Sequence, residues 1–333
     1  MQQRRFGSRG PMVGAIGFGA MSFGGFYGAT TEAESHATLA RALELGVTHW
    51  DTANVYGPET SERVIGSFLR ADPGARRRIH LATKGGIHRD PAAGKRSFDN
   101  SREHLTAALD ASLKRLGLDH VDLYYVHRRE AARPIEEVME TLLGLKQAGK
   151  IGGIGFSEIA PASLRRAAAV GPVDAVQSEY SLWTRGPELG LVRACKEVGA
   201  ALVAFSPLGR AILTGTLAPA TVFGDNDFRR ANPRFVAPNY AANLREIDKL
   251  VAFARARGLT PGQVALAWLL AQDQHIIPIP GTRSPIHLAE NAAAAGVALT
   301  SADMAELDSC LPAGFAHGDR YNEVQSIGPE RYG

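Results

Sequence analysis

The sequence predicts an α/β protein folded as a (β/α)8 barrel, and three observations carry that prediction. Short apolar runs alternate with longer amphipathic stretches, and the strand-then-helix cycle repeats eight times in about 300 residues. The runs are apolar on both faces, as parallel strands covered by helical crossovers must be. No linker or shift of composition interrupts the repetition, so residues 1–333 read as a single domain. An open doubly wound sheet is the competing arrangement. Its phosphate fingerprint is missing, because Gly17-Phe18-Gly19-Ala20-Met21-Ser22 has no third glycine at the required place.

Residues 1–12 read as a short hairpin or cap, punctuated by Gly7, Gly10 and Pro11. The first strand is expected at 15–21. A helix follows from Thr31 to Gly46, with an acidic first turn and a terminal glycine. The cycle then gives strand 47–53 with helix 60–71, strand 79–84 with helix 99–116, and strand 121–127 with helix 134–149. Next come strand 151–157 with helix 161–170 and strand 175–180 with helix 188–199. Strand 201–206 leads into a long irregular stretch, 211–240, and then helices at 241–257 and 261–272. Strand 276–281 precedes helix 284–295, and an extra helix near 301–310 runs into a polar tail, 312–333. Leu105, Leu109, Leu113 and Leu116 mark one core-facing helical stripe.

Composition narrows the function. A hydrophobic fraction of 45% is ample for a core, and a charged fraction of 21% is ordinary, which excludes disordered and fibrous classes. No apolar run approaches the roughly 20 residues of a membrane span, and no apolar signal core follows Met1-Gln2-Gln3-Arg4-Arg5. A cytoplasmic protein is therefore expected. The net charge of +3 is spread along the chain and gives little support for nucleic-acid binding. Arg76-Arg77-Arg78 reads as a solvated helix-to-strand turn. Cys195 and Cys310 are far apart without spaced partners, which suits a reducing compartment and argues against a zinc site; no metal is expected.

In such a barrel the C-terminal strand ends share one mouth, where chemistry is sited. Those ends read Ala20-Met21, Asp51, Lys84, His127, Ser157, Gln177 to Tyr180, Phe205-Ser206 and Gly281-Thr282-Arg283. Turn residues alone would account for Asp51 or Ser157. They do not account for an aspartate, a lysine and a histidine on three successive strands. Tyr56 lies five residues past Asp51, on a loop closed by Gly57-Pro58. A phenol is a weak proton donor near pH 7 unless a neighbouring cation stabilises its anion. Lys84, balanced by Asp51, would be that cation, and His127 would donate a hydrogen bond to a substrate oxygen. No nucleophile elbow, cysteine beside histidine, or His-Glu-x-x-His helix occurs, so acyl transfer and metal hydrolysis rank low. A proton donor aimed at a carbonyl without a nucleophile points to hydride chemistry.

These residues match a known pattern. Asp51-Thr-Ala-x-x-Tyr56-Gly, Ala82-Thr-Lys84, Asp122-Leu-Tyr-Tyr-x-His127-Arg128, Gln177-Ser-Glu-Tyr180-Ser-Leu-Trp183, Ser206-Pro-Leu-Gly209-Arg210 and Pro280-Gly-Thr-Arg283 with Glu290-Asn291 recur in order. From Gly17 to about Tyr321 the chain resembles the aldo-keto reductases, within them the branch that includes pyridoxal reductase-like and perakine reductase-like enzymes. The resemblance implies a barrel that binds NADPH or NADP+ in extended form, and a catalytic tetrad carried by Asp51, Tyr56, Lys84 and His127. Tyr56 would be the general acid as hydride passes to an aldehyde or ketone. Ser157 and Gln177 would hold the nicotinamide carboxamide, with Ala20 and Met21 nearby. Phe205 would stack on the ring, where relatives usually carry tyrosine. Ser206, Leu208 and Arg210 would line the pyrophosphate, helped by 211–240. Gly281, Thr282, Arg283, His287, Glu290 and Asn291 would take the adenosine end.

Arg283 would favour the 2′-phosphate, since a guanidinium fork pairs with phosphate oxygens; read singly, it is a solvated loop arginine. Some branches carry arginine at the position of His287. Gly85-Gly86 stands where Phe-Gly is more usual, and Ala211-Ile212 where Gly-Phe is often found. Either change widens the pocket or is a packing swap. Phe23, Phe26, Tyr27, Tyr125 and Trp183 are aromatic candidates for the substrate site, with Phe23, Tyr27 and Trp183 foremost, and the rest of such residues belonging to the core. The pocket loops are expected at 21–30, 85–97, 181–187 and 211–240. The leading reading is an NADPH-dependent carbonyl reductase with a small-molecule substrate. A cofactor-binding regulatory subunit of the same fold and an enzyme oxidising alcohols in the cell are the alternatives. Substrate identity and oligomeric state are not legible in the sequence.

Overall fold

The computed structural model describes residues 1–89, 96–225 and 227–332. Strands β1 (Gln3–Arg5) and β2 (Met12–Gly14) form an antiparallel hairpin. Then come β3 (Phe18–Gly19), β4 (His49–Asp51), β5 (His80–Gly85), and a second antiparallel hairpin of β6 (Ile87–Arg89) and β7 (Arg96–Phe98). The remaining strands are β8 (Val121–Val126), β9 (Ile151–Ser157), β10 (Ala175–Glu179), β11 (Ala201–Phe205) and β12 (Ile276–Pro278). Among the described residues, β3, β4, β5 and β8–β12 make one parallel eight-stranded sheet, in chain order. Each connection between consecutive strands of this sheet includes a helix, so the helices ring the sheet.

The sheet's two edges meet. Gly17 N–H donates to Pro278 O at 2.9 Å, and Gly19 N–H to Pro280 O at 3.3 Å, which joins β3 to the β12 side. The approach is close enough that a Cβ on Gly19 would lie 2.8 Å from Ile279 O, and one on Gly281 2.7 Å from Gly19 O. Prolines 278 and 280 have no N–H to return, so the ladder across this seam is one-sided. That is the physical reason the strands expected at 15–21 and 276–281 shrink to Phe18–Gly19 and Ile276–Pro278. Past Gly19 the chain turns into a 3-10 segment, Ala20–Gly24.

The helices are α1 (Glu32–Leu45), α2 (Thr60–Ala71), α3 (Arg102–Leu116), α4 (Ile135–Gln147), α5 (Pro161–Val170) and α6 (Leu191–Val198). After the 211–240 stretch come α7 (Asn239–Ala256), α8 (Pro261–Gln272), α9 (Pro285–Ala293) and α10 (Ser301–Cys310). Their starts are chemically marked: Thr31, Thr260 and Thr300 each form a reciprocal capping pair with the residue three further on. No helix among the described residues is long and apolar enough to cross a membrane.

Strand alternation sorts the core into two layers. On β8, Leu123 and Tyr125 point into the barrel with Ala82, Val203 and Ile277, while Tyr124 and Val126 pack outward against helices. Phe6 of the first hairpin plugs the N-terminal end, its ring 4.7 Å from His49 and 4.5 Å from His80. Arg4 beside it donates to the carbonyls of Leu270, Ile276 and Asp273 at 2.6, 2.9 and 2.8 Å, satisfying the carboxyl end of α8.

Three sequence expectations are revised or extended. Arg76 is not simply solvated: it pairs with Asp122 at 2.8 Å. The polar tail does more than end the chain: residues 312–332 fold back over the strand ends, where Arg320 pairs with Glu158 and Glu330 with Arg129 at 3.2 Å. The 85–97 loop carries the β6–β7 hairpin; its residues 90–95 lie outside the described residues.

Candidate active site

The C-terminal strand ends surround a cavity of about 910 Å³. Asp51 closes β4 and Lys84 sits one residue before the end of β5, on neighbouring strands. Both are fully buried or nearly so, which the apolar run of each strand brings about by drawing the polar terminus in behind it. Lys84 Nζ makes three bonds: to Asp51 Oδ1, to Thr52 O at 2.9 Å, and to the Tyr56 hydroxyl at 3.2 Å. That uses every donor an ammonium has. Asp51 Oδ2 accepts from Gln177 Nε2 at 2.7 Å, so the carboxylate is held from both sides.

The electrostatics follow from burial and this pairing. Burial alone would favour a neutral amine, but the Asp51 carboxylate, and after it the Tyr56 oxygen, outweigh that and hold Lys84 above its ordinary value. Burial pushes the Asp51 carboxyl up, against the pull of Lys84 and Gln177. With two donors aimed at it, Asp51 is the carboxylate of an ion pair. Tyr56 thus faces a permanent cation on one side. On the other, the His127 ring meets its ring edge-on, with centroids 5.9 Å apart. Asp51, Tyr56 and His127 border the cavity, and Lys84 stands behind Tyr56.

Around this centre Met21, Tyr27, Ser157, Gln177 and Phe205 line the cavity. Ser157 Oγ accepts from Arg128 Nη1 at 3.0 Å, which leaves its own O–H free to donate inward. Ser206 and Leu208 continue the wall toward Gly281, Thr282, Arg283, His287, Glu290 and Asn291. There Ser284 caps α9, so backbone N–H groups and the Arg283 guanidinium share one end of the cavity. Arg283 Nη1 donates to Ala29 O, and Glu290 Oε1 accepts from Thr260 Oγ1 at 2.6 Å.

Some expected residues stand elsewhere. Ala20 lies behind the wall, its carbonyl accepting from Ser61 Oγ at 2.9 Å. Phe23 packs on Phe18 at 5.3 Å, and Trp183 on Phe235 at 5.4 Å beneath Arg234, both in the layer between barrel and helices. Large aromatic surface is better buried there than left facing water. Tyr125 is inside the barrel beneath Lys84. Arg210 borders the cavity, yet its guanidinium is spent on both oxygens of Glu179, at 3.0 and 2.9 Å. The Gly85 departure is a packing matter: a Cβ there would lie 2.0 Å from the Tyr124 hydroxyl, which donates to Leu105 O at 3.1 Å.

The structure also adds residues that periodicity gave no means of finding. Tyr321, Val324 and Gln325 of the tail and Phe228 and Arg229 of the 211–240 stretch also line the cavity. Phe228 and Arg229 fall within the pocket loop expected at 211–240, whereas the tail residues had no such signal.

The sequence profile of the Aldo/keto reductase family matches residues 15–312. The chain belongs to that family. This aldo/keto reductase is similar to the aldo-keto reductase yakc [NADP(+)] of Schizosaccharomyces pombe, at 43% identity over 312 residues, covering 93% of this chain and 92% of the relative. It is 37% identical over 327 residues to a probable aldo-keto reductase 1 of Glycine max, covering 96% and 92%. Among solved structures, the glycerol dehydrogenase AKR11B4 of Gluconobacter oxydans superposes with a TM-score of 0.83 at 27% identity, over 93% of this reductase and 94% of that chain. The family match ends at residue 312, so Tyr321, Val324 and Gln325 belong to the part of the cavity wall outside it.

Proposed function

We propose that this chain is an NADPH-dependent reductase of aldehydes or ketones, working as a single barrel domain, with Tyr56 as the proton donor. The observation that carries the reading is the Lys84 ammonium placed 3.2 Å from the Tyr56 hydroxyl and neutralised from behind by Asp51.

The residues present fit a nicotinamide dinucleotide. At one end Ser157 has a hydroxyl proton to give, and Gln177, whose nitrogen is engaged by Asp51, has a carbonyl oxygen to accept with; together they match a carboxamide. Phe205 supplies a flat apolar face beside them. At the far end Arg283 and the amino terminus of α9 match phosphate, and the cognate relative of Schizosaccharomyces pombe is named for NADP(+). Such a cofactor, when bound, supplies the hydride that attacks the carbonyl carbon.

The rest is done by the chain's own groups. As charge grows on the carbonyl oxygen, Tyr56 Oη gives it a proton and is left as phenolate. Lys84 Nζ, already in contact, stabilises that phenolate without reorganising, because its position is fixed by Asp51 and Thr52 O. His127 donates to the carbonyl oxygen and orients it toward Tyr56. Cavity walls of Phe26, Ile87 and Tyr321 keep bulk water from the reacting atoms.

The test is NADPH oxidation across aromatic aldehydes, short α-oxo-aldehydes and pyridoxal. Tyr56→Phe is expected to lower kcat by about 10²–10⁴-fold, the usual worth of a positioned acid. If NADPH binds but no aldehyde is turned over faster by the wild type than by Tyr56→Phe, the reductase reading fails, and a cofactor-binding subunit replaces it.

A further inference from the structure

Charge does not balance behind the substrate half of the cavity. Four guanidinium groups gather there, those of Arg128, Arg210, Arg234 and Arg320, around the carboxylates of Glu158 and Glu179. Arg210 holds Glu179 through two bonds. Arg320 holds Glu158 and also reaches within 3.8 Å of Glu179. Glu158 additionally accepts from Ser178 Oγ at 3.0 Å and Glu179 N at 2.9 Å, so its lone pairs are committed. Arg234 is left with neutral acceptors, Trp183 O, Thr184 Oγ1 and Gly318 O, while the exposed Asp319 acts on it from the tail. Burial first, then repulsion by Arg210 and Arg320 against the pull of Glu179, brings the Arg234 guanidinium down to about 10.

Of the four, Arg128 and Arg210 border the cavity, and Arg210 is matched. Arg128 is not. It is 7% exposed, makes no salt bridge among the described residues, and bonds only to the neutral oxygens of His127 O at 2.6 Å and Ser157 Oγ at 3.0 Å. Its Nε has no hydrogen-bond partner among the described residues. A buried guanidinium whose hydrogen bonds go only to neutral acceptors, with Glu158 acting from a distance, is costly, and an anion entering the cavity would relieve it. Its position is informative, since it directly follows His127 and so flanks the place where a carbonyl would meet Tyr56.

We propose that Arg128 selects the substrate: the pocket takes carbonyl compounds that also carry a carboxylate, which pairs with the Arg128 guanidinium while the carbonyl faces Tyr56 and His127. The planar fork of a guanidinium matches the two oxygens of a carboxylate, and a buried site makes that pairing strong. The assignment rests on the carbonyl-reductase reading above. Because Arg128 also holds Ser157, its removal will slow every substrate, so the test reads a preference rather than a rate.

The three carboxybenzaldehydes and the corresponding formylbenzamides are matched in size and differ in charge. With NADPH, at least one carboxybenzaldehyde is expected to exceed its amide tenfold or more in kcat/KM. Arg128→Met should bring that ratio within threefold of one, and Arg128→Lys should keep it at threefold or more. Equal values in the wild type, or a preference that survives Arg128→Met, overturns the proposal. Benzoate and benzamide titrated calorimetrically into the protein give a readout free of turnover. Tighter benzoate binding that disappears in Arg128→Met supports the proposal even if no aldehyde reacts, an outcome that removes only the reductase reading. Turnover of the amides without any benzoate preference removes only the Arg128 assignment. Should Arg128→Met fail to fold, the wild-type ratios and Arg128→Lys still decide.

Discussion

Lys84 shows how one side chain can hold the fold together and, in the proposed reaction, serve the chemistry as well. Its ammonium is fully buried and tolerated only because Asp51 balances it, so removing either charge strands the other. Lys84→Met is therefore expected to cost about 3–5 kcal/mol of unfolding free energy in urea titrations. Adding Asp51→Asn should return part of that loss, and a fully additive double variant would contradict the pairing. Arg283 makes the opposite case, an exposed guanidinium that donates to Ala29 O and feels the carboxylate of Glu34. Arg283→Ala is expected to raise the KM for NADPH at least tenfold more than that for NADH in initial-rate assays. Equal effects on both cofactors would remove its phosphate role. The candidate tetrad was legible because an aspartate, a lysine and a histidine ended three successive strands, which turn chemistry does not explain together, with Tyr56 on the loop just past the first. Arg128 stood equally plainly in the sequence, beside His127. Its unmatched charge was invisible there, because that depends on what Glu158 and Glu179 do with residues far along the chain.

At the scale of elements, periodic segments were readable and seams were not. Helices at 60–71, 161–170, 261–272 and 301–310 and strand 151–157 fall where their patterns place them, since burial of one face sets both pattern and element. Strands β3 and β12 came out short because their ladder depends on each other's prolines and glycines, a relation between distant segments. The Gly85 change on β5 is likewise explained only by its neighbour. Gly85→Ala would drive a Cβ to 2.0 Å from the Tyr124 hydroxyl on β8 and should cost about 1–3 kcal/mol, the range for overpacking. In a Tyr124→Phe background the same change should cost less, because the clashing oxygen is gone. Urea midpoints of the four proteins check this, and strict additivity would mean that the two strands adjust in some other way.

At the scale of the molecule, the two barrel ends have opposite tasks. The C-terminal end keeps a charged pair, whereas the N-terminal end buries two neutral imidazoles, His49 and His80, in contact at 2.9 Å beneath Phe6. Burial brings His80 down to about 4, and burial with His80 beside it brings His49 well below the ordinary value. A histidine depressed in the folded state binds protons more readily unfolded, so its contribution is complete above about pH 6.5 and is lost as pH falls toward 4. For His80 alone that loss is about 3 kcal/mol. Urea midpoints should therefore drop between pH 7 and pH 4.5, and a flat profile would mean that these rings are not held neutral. The barrel itself is completed by the bond from Gly17 to Pro278, two residues at nearly opposite ends of the sequence. During synthesis β3 must wait with an unpaired edge until the ribosome has delivered β12, which at about 5–20 residues per second means on the order of ten to fifty seconds. For that interval the nascent chain presents an open strand edge of the kind that other strands can pair with.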